Sequence, residues 1–411
     1  MKRSTILITS AALLLLPLLV GGGALWWKRI EASKQWPVLA EVPPLTTHEP
    51  PLTDDALAWS LLEEAIARYD ADLDGAQDQL EAIGMPANAS LWANQQVSLA
   101  RLKQALGRPG LRTPYRTHID DDLPDVIPLL HIARNQILRG WESAESGLLS
   151  EAVDEMLQAD ALGTRLVDGS EELIMVMLGL AISEIAQVEL AELLTMLARD
   201  DVAAQAQALA GLQANQPRST TATARGVARD CQLFESTYRE LGEHPERLMD
   251  EVSWDGEVQP RPIQSRLAAL RYDADATIAQ HRRICLATIA RMESPPFDRS
   301  DAYEPPIQSS MAYNDIGSTL LSIASPDFSR LADEERRGLV RRRGLVVVIA
   351  ARLFTLQSGA LPQRLDALVP DFLAAVPIDP FTGRPLVLEG RTLTSAAAVG
   401  EDPPPSWILT P

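Results

Sequence analysis

Five carboxylates lie close together in the segment Tyr69–Glu81, which is written YDADLDGAQDQLE. Three aspartates at alternate positions precede Gly75, and a glutamate closes the segment. Calcium takes six to eight oxygen ligands at about 2.3–2.6 Å, and alternate side chains of a tight loop can present oxygens to one centre. The spacing therefore predicts a calcium site. The alternative is a polar turn followed by an N-capped helix, in which Asp74 and Gly75 are only a turn signal.

The same segment resembles the calcium loop of an EF-hand, or the similar loop of a dockerin, whose pattern is D-x-[DN]-x-[DN]-G-x5-E. The resemblance implies a backbone carbonyl ligand from Ala76 and a closing ligand with both oxygens from Glu81. The implied ligands are Asp70, Asp72, Asp74, Ala76, Asp78 and Glu81. Gln77 stands where a paired hand has an apolar residue, and the chain has no second complete loop. We therefore expect one structural calcium site and not a sensor pair.

His281 and Cys285 are separated by four residues, which places them on one face of a helix. Two ligands do not make a zinc site, so we expect His281 to be an ordinary core or surface histidine. Cys231 and Cys285 could oxidise in an exported protein. If residues 242–263 joined two antiparallel helices, however, Cys231 would lie about 16 Å and Cys285 about 31 Å from the turn. These unequal heights argue against a disulfide without excluding it.

Blocks of opposite charge alternate in Glu334–Arg343, which is written EERRGLVRRR. The spacing of i,i+3 and i,i+4 predicts a solvated or intramolecularly paired helix face. A docking patch for an acidic partner is the alternative interpretation.

Local catalytic signatures are not found in the sequence. The chain has no G-x-S-x-G, S-x-x-K or H-E-x-x-H motif and no phosphate-binding glycine loop. Catalytic residues can also be scattered along a chain, so these motifs do not decide the question. An envelope hydrolase with a scattered active site remains the alternative to a non-enzymatic protein.

The composition restricts the class of partner. Hydrophobic residues make up 46% and charged residues 23% of 411 residues, which is typical of a globular protein with room for two or three domains. The formal net charge is −19, and residues 37–411 alone carry −23, because the first 36 residues hold five bases and one acid. A body this acidic repels nucleic acid, so no nucleic-acid partner is expected.

The segment Ile6–Trp27 contains no charged residue and follows Lys2 and Arg3. A helix of this length spans roughly 33 Å, which is enough to cross a bilayer core. Two tryptophans at its end, followed by two bases, are typical of a membrane interface. The sequence predicts a single-pass anchor in a bacterial inner membrane with the body in the periplasm. A cleaved signal peptide with a secreted or periplasmic body is the alternative.

Helical periodicity covers most of the chain beyond the proline-rich stretch PVLAEVPPLTTHEPP. After a first helix from Thr53, the predicted helices are Ser90–Leu106, Pro124–Arg139, Gly147–Val167, Glu171–Arg199, Val202–Ala214, Thr220–Leu241, Gln264–Met292 and Leu331–Gln357. Residues 147–194 resemble the helix pairs of tetratricopeptide arrays in packing style, but no 34-residue repeat can be traced. The predicted fold is mainly α, an irregular multi-helix array with an N-terminal transmembrane helix and a small C-terminal α+β cap with a β-hairpin.

The last helix is followed by turn and strand signals. Gly359 is placed to close that helix in a left-handed conformation. Asp379 opens a turn in which its carboxylate can accept hydrogen bonds from the backbone amides ahead of it. Residues 384–389 and 392–396 read as a hairpin around Gly390, and residues 406–410 add an edge strand.

This order resembles the globular end of the major pseudopilins of type II secretion, a pattern that also occurs in uncharacterised exported bacterial proteins. The resemblance covers about 58 residues from Leu345, and its most specific part is Val376–Phe381, written VPIDPF. The N-terminus lacks the residues of a prepilin processing site. The resemblance therefore implies a small packing module and an exported setting, and does not imply filament assembly.

The sequence divides into an anchor or signal segment (1–29), a proline-rich stalk (30–51), a helical body (52–330) and a long helix with the pseudopilin-like cap (331–411). These features predict a non-enzymatic scaffold or partner-binding protein that faces the periplasm. Its expected partners are another envelope protein and, through the N-terminal helix, the membrane. An accessory factor of a secretion or pilus-like system is the further alternative.

Overall fold

The structure of the chain is a computed structural model, and it describes about three fifths of the sequence. The described residues are 58–69, 96–114, 116, 121, 126–196, 201–218, 221–244, 247, 271–293, 314–324, 328–395 and 406–409. The predicted anchor (1–29), the predicted stalk (30–51) and the predicted calcium loop (70–81) lie outside them.

The described part is mainly helical and ends in a small antiparallel sheet, so the coarse prediction of an α array with a C-terminal β element is confirmed. Residues 58–69 form α1. The other helices are α2 (Gln96–Leu106), α3 (Val126–Glu145), α4 (Leu149–Gly169), α5 (Leu173–Met196), α6 (Val202–Ala214), α7 (Ala222–Glu243), α8 (Ala274–Glu293), α9 (Asp315–Ala324) and α10 (Ser329–Ser358). The strands are β1 (Val387–Glu389), β2 (Thr392–Thr394) and β3 (Ser406–Ile408).

The chain forms two compact units, and both are discontinuous in sequence. Among the described residues, the first unit contains 231–244, 247, 271–287 and 314–324, and the second contains the rest. In the first unit, α7 and α8 are antiparallel, because Arg282 of α8 pairs with Glu235 of α7 while Tyr272, before α8, donates to the carbonyl of Tyr238. Helix α9, which the periodicity did not predict, packs Leu321 against this pair.

The helical hairpin α4–α5 is the centre of the second unit. Helix α5 is apolar on all sides because it contacts α4 on one side and α3 and α10 on others. Within the described residues it is the one helix that is long and apolar enough to cross a membrane, and 56% of its most apolar stretch is buried. A core helix of a globular unit has the same properties.

Two hydrophobic clusters pack on the two sides of this hairpin. One joins α1, α2 and α3 to α4 and α5, and includes Leu62, Leu102, Leu129, Leu162 and Met175, all buried. The other joins α4, α5 and α6 to α10 and the C-terminal residues, and includes Met156, Leu190, Leu212, Val347 and Leu393. The long helix α10 thereby carries the C-terminal cap into the core of the second unit.

The C-terminal cap follows the predicted order of elements. Gly359 ends α10 with φ 77°, and its amide donates to the carbonyl of Thr355. Leu365 and Leu368 lie in a short 3-10 helix and are buried. Strand β1 pairs antiparallel with β2, and β2 with β3, in the order β1-β2-β3. The strands are shorter than the segments that the sequence indicated.

The Asp379 turn is the anchor of the cap. Its carboxylate accepts a hydrogen bond from the amide of Phe381 at 2.8 Å, as predicted, and another from the hydroxyl of Ser395 at 2.7 Å. Asp379 is fully buried, and Phe381 packs against Val340 of α10. A buried carboxylate with such partners fixes the turn to the residue that follows β2.

Candidate functional site

The predicted calcium ligands cannot be placed, because Asp70, Asp72, Asp74, Ala76, Asp78 and Glu81 lie outside the described residues. Within the described residues, one group of side chains has the composition and proximity of a metal site, namely Cys231, His281 and Cys285. Their ligand atoms lie within 4.8 Å of one another.

The two cysteines of this group are joined in a disulfide, so the expectation against a pair was wrong. The error came from a helix boundary. Helix α8 begins at Ala274, ten residues after the predicted start at Gln264. Cys231 therefore lies about 18 Å from the end of α7 and Cys285 about 17 Å from the start of α8, so the two cysteines are level.

His281 is a core histidine, as the sequence suggested. Its ring is nearly perpendicular to the rings of Phe234 and Tyr238, at centroid distances of 5.8 and 5.2 Å, and its Nε2 lies 3.6 Å from Cys285 Sγ. Burial lowers the pKa of the imidazole to about 4. With both sulfur atoms in the disulfide, this group lacks the thiolates that a metal ion needs.

A buried polar network in the second unit was not visible in the sequence. Arg342 of α10 donates two hydrogen bonds to the carboxylate of Asp160 on α4, one of them (Nη1 to Oδ2) at 2.8 Å. Arg342 also donates to the hydroxyls of Thr164 and Ser183, at 2.9 and 2.7 Å. Gln187 donates to Asp160 as well. Of the two interpretations of Glu334–Arg343, intramolecular pairing is confirmed for this arginine.

A second member of the same run is also inside the protein. Glu335 is 3% exposed and accepts hydrogen bonds from the amides of Ala222 and Thr223, at 2.8 and 3.0 Å. A carboxylate at this position satisfies orphan amides at the first turn of α7 and complements the helix dipole. The cavity beside Arg342 and Glu335 measures only about 20 Å³. The network therefore holds helices together and leaves no room for a substrate.

An open groove lies next to this network, along α5 and α10. Three contacts give the direction of the two helices: Arg342 to Ser183, Arg341 to Glu184, and Arg352 to the carbonyl of Leu194. Residues 341 and 342 of α10 lie beside residues 183 and 184 of α5, and residue 352 lies beside residue 194. The two helices therefore run parallel. The groove is lined by Gln187, Val188, Ala191, Leu194 and Thr195 of α5, by Arg341, Leu345, Val348, Ile349 and Arg352 of α10, and by Trp407 and Ile408 of β3.

The walls of the groove are apolar and partly exposed. The cavity measures about 260 Å³. Ile408 is 71% exposed and Val188 is 51% exposed, although both side chains are large and apolar. Exposed apolar side chains that are contiguous along a groove are typical of binding surfaces, whereas single ones are common on any protein.

An arginine lies at each end of this groove. Arg341 and Arg352 are 11 residues apart on α10, which corresponds to about 16 Å. Arg341 forms an exposed ion pair with Glu184, and Arg352 donates to a carbonyl at the C-terminal end of α5. Burial lowers the pKa of the Arg352 guanidinium, so an anion placed beside it would be favourable. No acidic side chain is among the described residues that line the groove.

Sequence reasoning did not find the groove, although its signal was present. Residues 341, 345, 348, 349 and 352 have the i, i+4, i+7, i+8, i+11 spacing of one helix face. The same stripe would be expected of a fully buried helix face, and only the position of α5 and β3 decides that it borders solvent.

In comparisons with known proteins, no family model, no curated protein and no solved structure matches this chain.

Proposed function

We propose that this protein is a non-enzymatic partner-binding protein of the bacterial envelope, and that the groove between α5, α10 and β3 is its binding surface. The observation that carries the proposal is the apolar lining of this groove, bordered by Arg341 and Arg352 without an acidic residue among the described residues that line it. Binding sites have mainly apolar walls with a few placed polar groups, and this groove has that composition.

The side chains of the groove favour binding over catalysis. General acid-base or nucleophilic chemistry needs titratable or nucleophilic groups that converge on one point. Among the described lining residues the groove offers only Thr195 as a hydroxyl and two guanidinium groups at opposite ends. A guanidinium does not deprotonate in the ordinary pH range and serves to bind anions.

We propose that the ligand of the groove is an amphipathic helical segment of another protein, because the length of the groove fits such a segment. The distance of about 16 Å between the arginines corresponds to about three helical turns. A helix laid in a groove places apolar residues at i, i+3, i+4 and i+7 against its floor. Carboxylates near the two ends of such a segment complement Arg341 and Arg352.

The disulfide supports the proposed compartment. Disulfides persist in the periplasm and outside the cell and are rare in the cytosol, so Cys231–Cys285 fits a body that is exported. The uncharged segment Ile6–Trp27, outside the described residues, supports attachment to the inner membrane. The pseudopilin-like pattern that begins at Leu345 supports a role as an accessory factor of a secretion or pilus-like system.

A single structural calcium site belongs to the same proposal. The residues Asp70 to Glu81 support it by their spacing alone. An extracytoplasmic location supplies calcium at the concentrations that weak single sites need.

The proposed function can be tested with a display library of helical peptides that is panned against the full-length chain. Val188→Asp places a charge in the groove, and Val97→Asp makes the same change at an exposed valine on α2. We expect enriched peptides to have one apolar face and acidic residues about three turns apart. Recovery of these peptides should be lost with Val188→Asp and retained with Val97→Asp.

Three outcomes oppose the proposal. The first is equal enrichment on the wild-type chain and on Val188→Asp, which would place binding elsewhere. The second is enrichment of basic peptides, which contradicts the role of Arg341 and Arg352. The third is no peptide enrichment together with saturable binding of a fatty acid, which would assign the groove to a small amphiphile.

A further inference from the structure

A larger cavity, of about 540 Å³, lies in the second unit beside the C-terminal half of α4. Residues 109–112 form one wall. The C-terminal ends of α4 and α6 and the first turn of α7 form the others. Such a volume accommodates a small organic molecule.

The wall at residues 109–112 is held firmly against α4. A Cβ atom on Gly169 would lie 1.6 Å from the carbonyl oxygen of Leu111, so only glycine permits this approach. The hydroxyl of Thr113 then donates to that of Ser170 at 3.2 Å, and its amide donates to the carbonyl of Gly169. The position of this wall is therefore fixed by packed backbone.

The charges that line this cavity are strongly unbalanced. Four arginines line it, Arg112, Arg165, Arg218 and Arg225, and the one acidic side chain among its described lining residues is Asp168. The formal charge of the lining is thus about +3, in a protein whose net charge is −19. Clustered like charges repel one another and destabilise a fold unless a counter-charge is present.

Two of these arginines have a structural role that accounts for them. Arg225 donates to the carbonyls of Val167, Asp168 and Ser170 and so caps the C-terminal end of α4. Arg165 donates to the carbonyl of Arg108 at 2.6 Å, just after α2. These contacts explain the positions of two guanidinium groups but do not remove their charge.

The other two arginines are not explained by helix capping. The Nε of Arg112 is buried and has no hydrogen-bond partner within the described residues. Arg218 is exposed, and its backbone amide donates to both oxygens of Asp168, at 3.0 and 3.1 Å. The pKa of Arg165 is lowered by burial and by the charge of Arg218. A buried unpaired donor and two neighbouring cations are both stabilised by an anion in the cavity.

We propose that this cavity binds a small organic anion that carries more than one acidic group, with Arg112 and Arg218 as its specific contacts. Guanidinium groups bind phosphate and carboxylate oxygens through paired hydrogen bonds, and the net charge of the lining matches two to three negative charges. Phosphate esters and polycarboxylates share this chemistry. Asp168 opposes the ligand and limits its affinity.

Two probes distinguish the classes of ligand in calorimetry on the full-length chain, namely pyrophosphate and citrate. Each is titrated at the same ionic strength, because exposed charge interactions are screened by salt. We expect saturable binding of at least one probe. The tighter of the two then identifies the ligand as a phosphate ester or a polycarboxylate.

Three substitutions assign the binding to this cavity. Arg112→Gln and Arg218→Gln should each weaken binding at least about tenfold, because a charge-assisted hydrogen bond is lost. Asp168→Asn should strengthen binding severalfold, since it removes the one negative charge while keeping an acceptor for the Arg218 amide. Arg364→Gln is the control, because Arg364 is an exposed arginine of the C-terminal cap that is paired with Asp366.

The proposal is overturned if neither probe gives saturable heat with the wild-type chain. It is also overturned if Arg364→Gln weakens binding as much as Arg218→Gln, since the effect would then be nonspecific charge. Weaker binding in Asp168→Asn would contradict it as well. If Arg112→Gln fails to fold, Arg218→Gln alone decides the matter, because that side chain is exposed.

Discussion

Arg342 and Asp160 form a salt bridge across 182 residues of chain, and each side chain is only 1% exposed. Ionic groups in the interior lose their hydration, and this cost is offset only when the pair is close and its other hydrogen bonds are made. Both conditions hold here, because hydroxyls of Thr164 and Ser183 accept from the same guanidinium. The pair joins α10, and with it the C-terminal cap, to the central hairpin α4–α5.

Removal of one partner should therefore be severe. Arg342→Met leaves the Asp160 carboxylate buried without its cation, and we expect a loss of about 3–5 kcal/mol in the free energy of unfolding. The double variant Arg342→Met with Asp160→Leu should recover part of this loss, because no uncompensated charge remains. Urea denaturation of the wild type, the two single variants Arg342→Met and Asp160→Leu, and the double variant gives the coupling energy of the pair.

The matched surface pair is Arg364 and Asp366, whose side chains are 82% and 67% exposed. Arg364→Met should change stability by less than about 1 kcal/mol. If Arg342→Met were equally mild, the buried pair would have no structural role and the interpretation of this network would be wrong.

The sequence predicted the local features of the fold better than its long-range contacts. Periodicity predicted α6 at the observed Val202–Ala214. The residue types at positions 359 and 379 were enough to predict the left-handed cap at Gly359 and the Asx turn at Asp379. Each of these depends on neighbouring residues only. Arg342 stands in a run of charges typical of a solvent face, and its burial depends on Asp160 far away in sequence.

The candidate sites were predictable to different degrees for the same reason. Cys231 and Cys285 were visible, but their pairing depended on the start of α8, and helix boundaries are poorly determined by periodicity. The groove and the arginine cavity bring together segments that are up to about 220 residues apart. Nothing in the local pattern of Arg112 or Arg218 reveals that neighbourhood.

Reduction of the disulfide should destabilise the first unit. The bond closes a loop across a separation of 54 residues, for which the chain-entropy relation gives about 4 kcal/mol. We expect the Cys231→Ser, Cys285→Ser double variant to melt at a clearly lower temperature, and a reductant to shift the wild-type chain but not this variant. Two titratable thiols in the denatured, unreduced wild-type protein would contradict the disulfide.

His281 should make stability depend on pH. Its pKa is lowered from 6.5 to about 4 by burial, so the folded state binds fewer protons than the unfolded state within that window. The contribution is fully present above about pH 6.5 and is lost as the pH falls toward 4, by about 3 kcal/mol in all. Urea denaturation of the wild-type chain and His281→Gln at several pH values measures it. Identical pH profiles would exclude the effect.

Asp230 gives stability the opposite pH dependence from His281, so its contribution has to be measured separately. Burial is the main cause that raises the pKa of its carboxyl from 3.8 to about 6, although Arg116 opposes the shift. The folded state then favours the protonated acid, so stability rises as the pH falls from about 6 toward 4. Asp230→Asn should raise the free energy of unfolding at neutral pH by about 1–3 kcal/mol. In Asp230→Asn the net loss of stability on acidification should also be larger, because the opposing contribution of Asp230 is absent.

Calcium binding by residues 70–81 can be tested separately from all described contacts. Calorimetry on the full-length chain should give binding heat at about 10⁻⁴–10⁻³ M calcium, as in single extracellular sites. Glu81→Gln removes charge from the predicted bidentate ligand and should weaken binding at least about tenfold, whereas Gln77→Ala should have little effect. The prediction of a calcium site would be wrong if millimolar calcium gave no binding heat, or if a chelator left the melting temperature unchanged.

Gly163 of α4 and Gly179 of α5 allow the closest approach of the central hairpin. A Cβ on either glycine would lie 2.6 Å from the backbone oxygen of the other, so the two helices would have to separate. Gly163→Ala should therefore cost at least about 1–3 kcal/mol, in spite of the better helix propensity of alanine.

Gly338 of α10 is the matched control, because a Cβ there meets nothing within 4 Å. Gly338→Ala should raise stability by about 0.5–1 kcal/mol, the ordinary gain of alanine over glycine inside a helix. The double variant Gly163→Ala, Gly179→Ala should cost less than the sum of the two single changes, because one separation of α4 from α5 relieves both contacts. Additive losses, or a stable Gly163→Ala protein, would mean that the helices are not held together at this point.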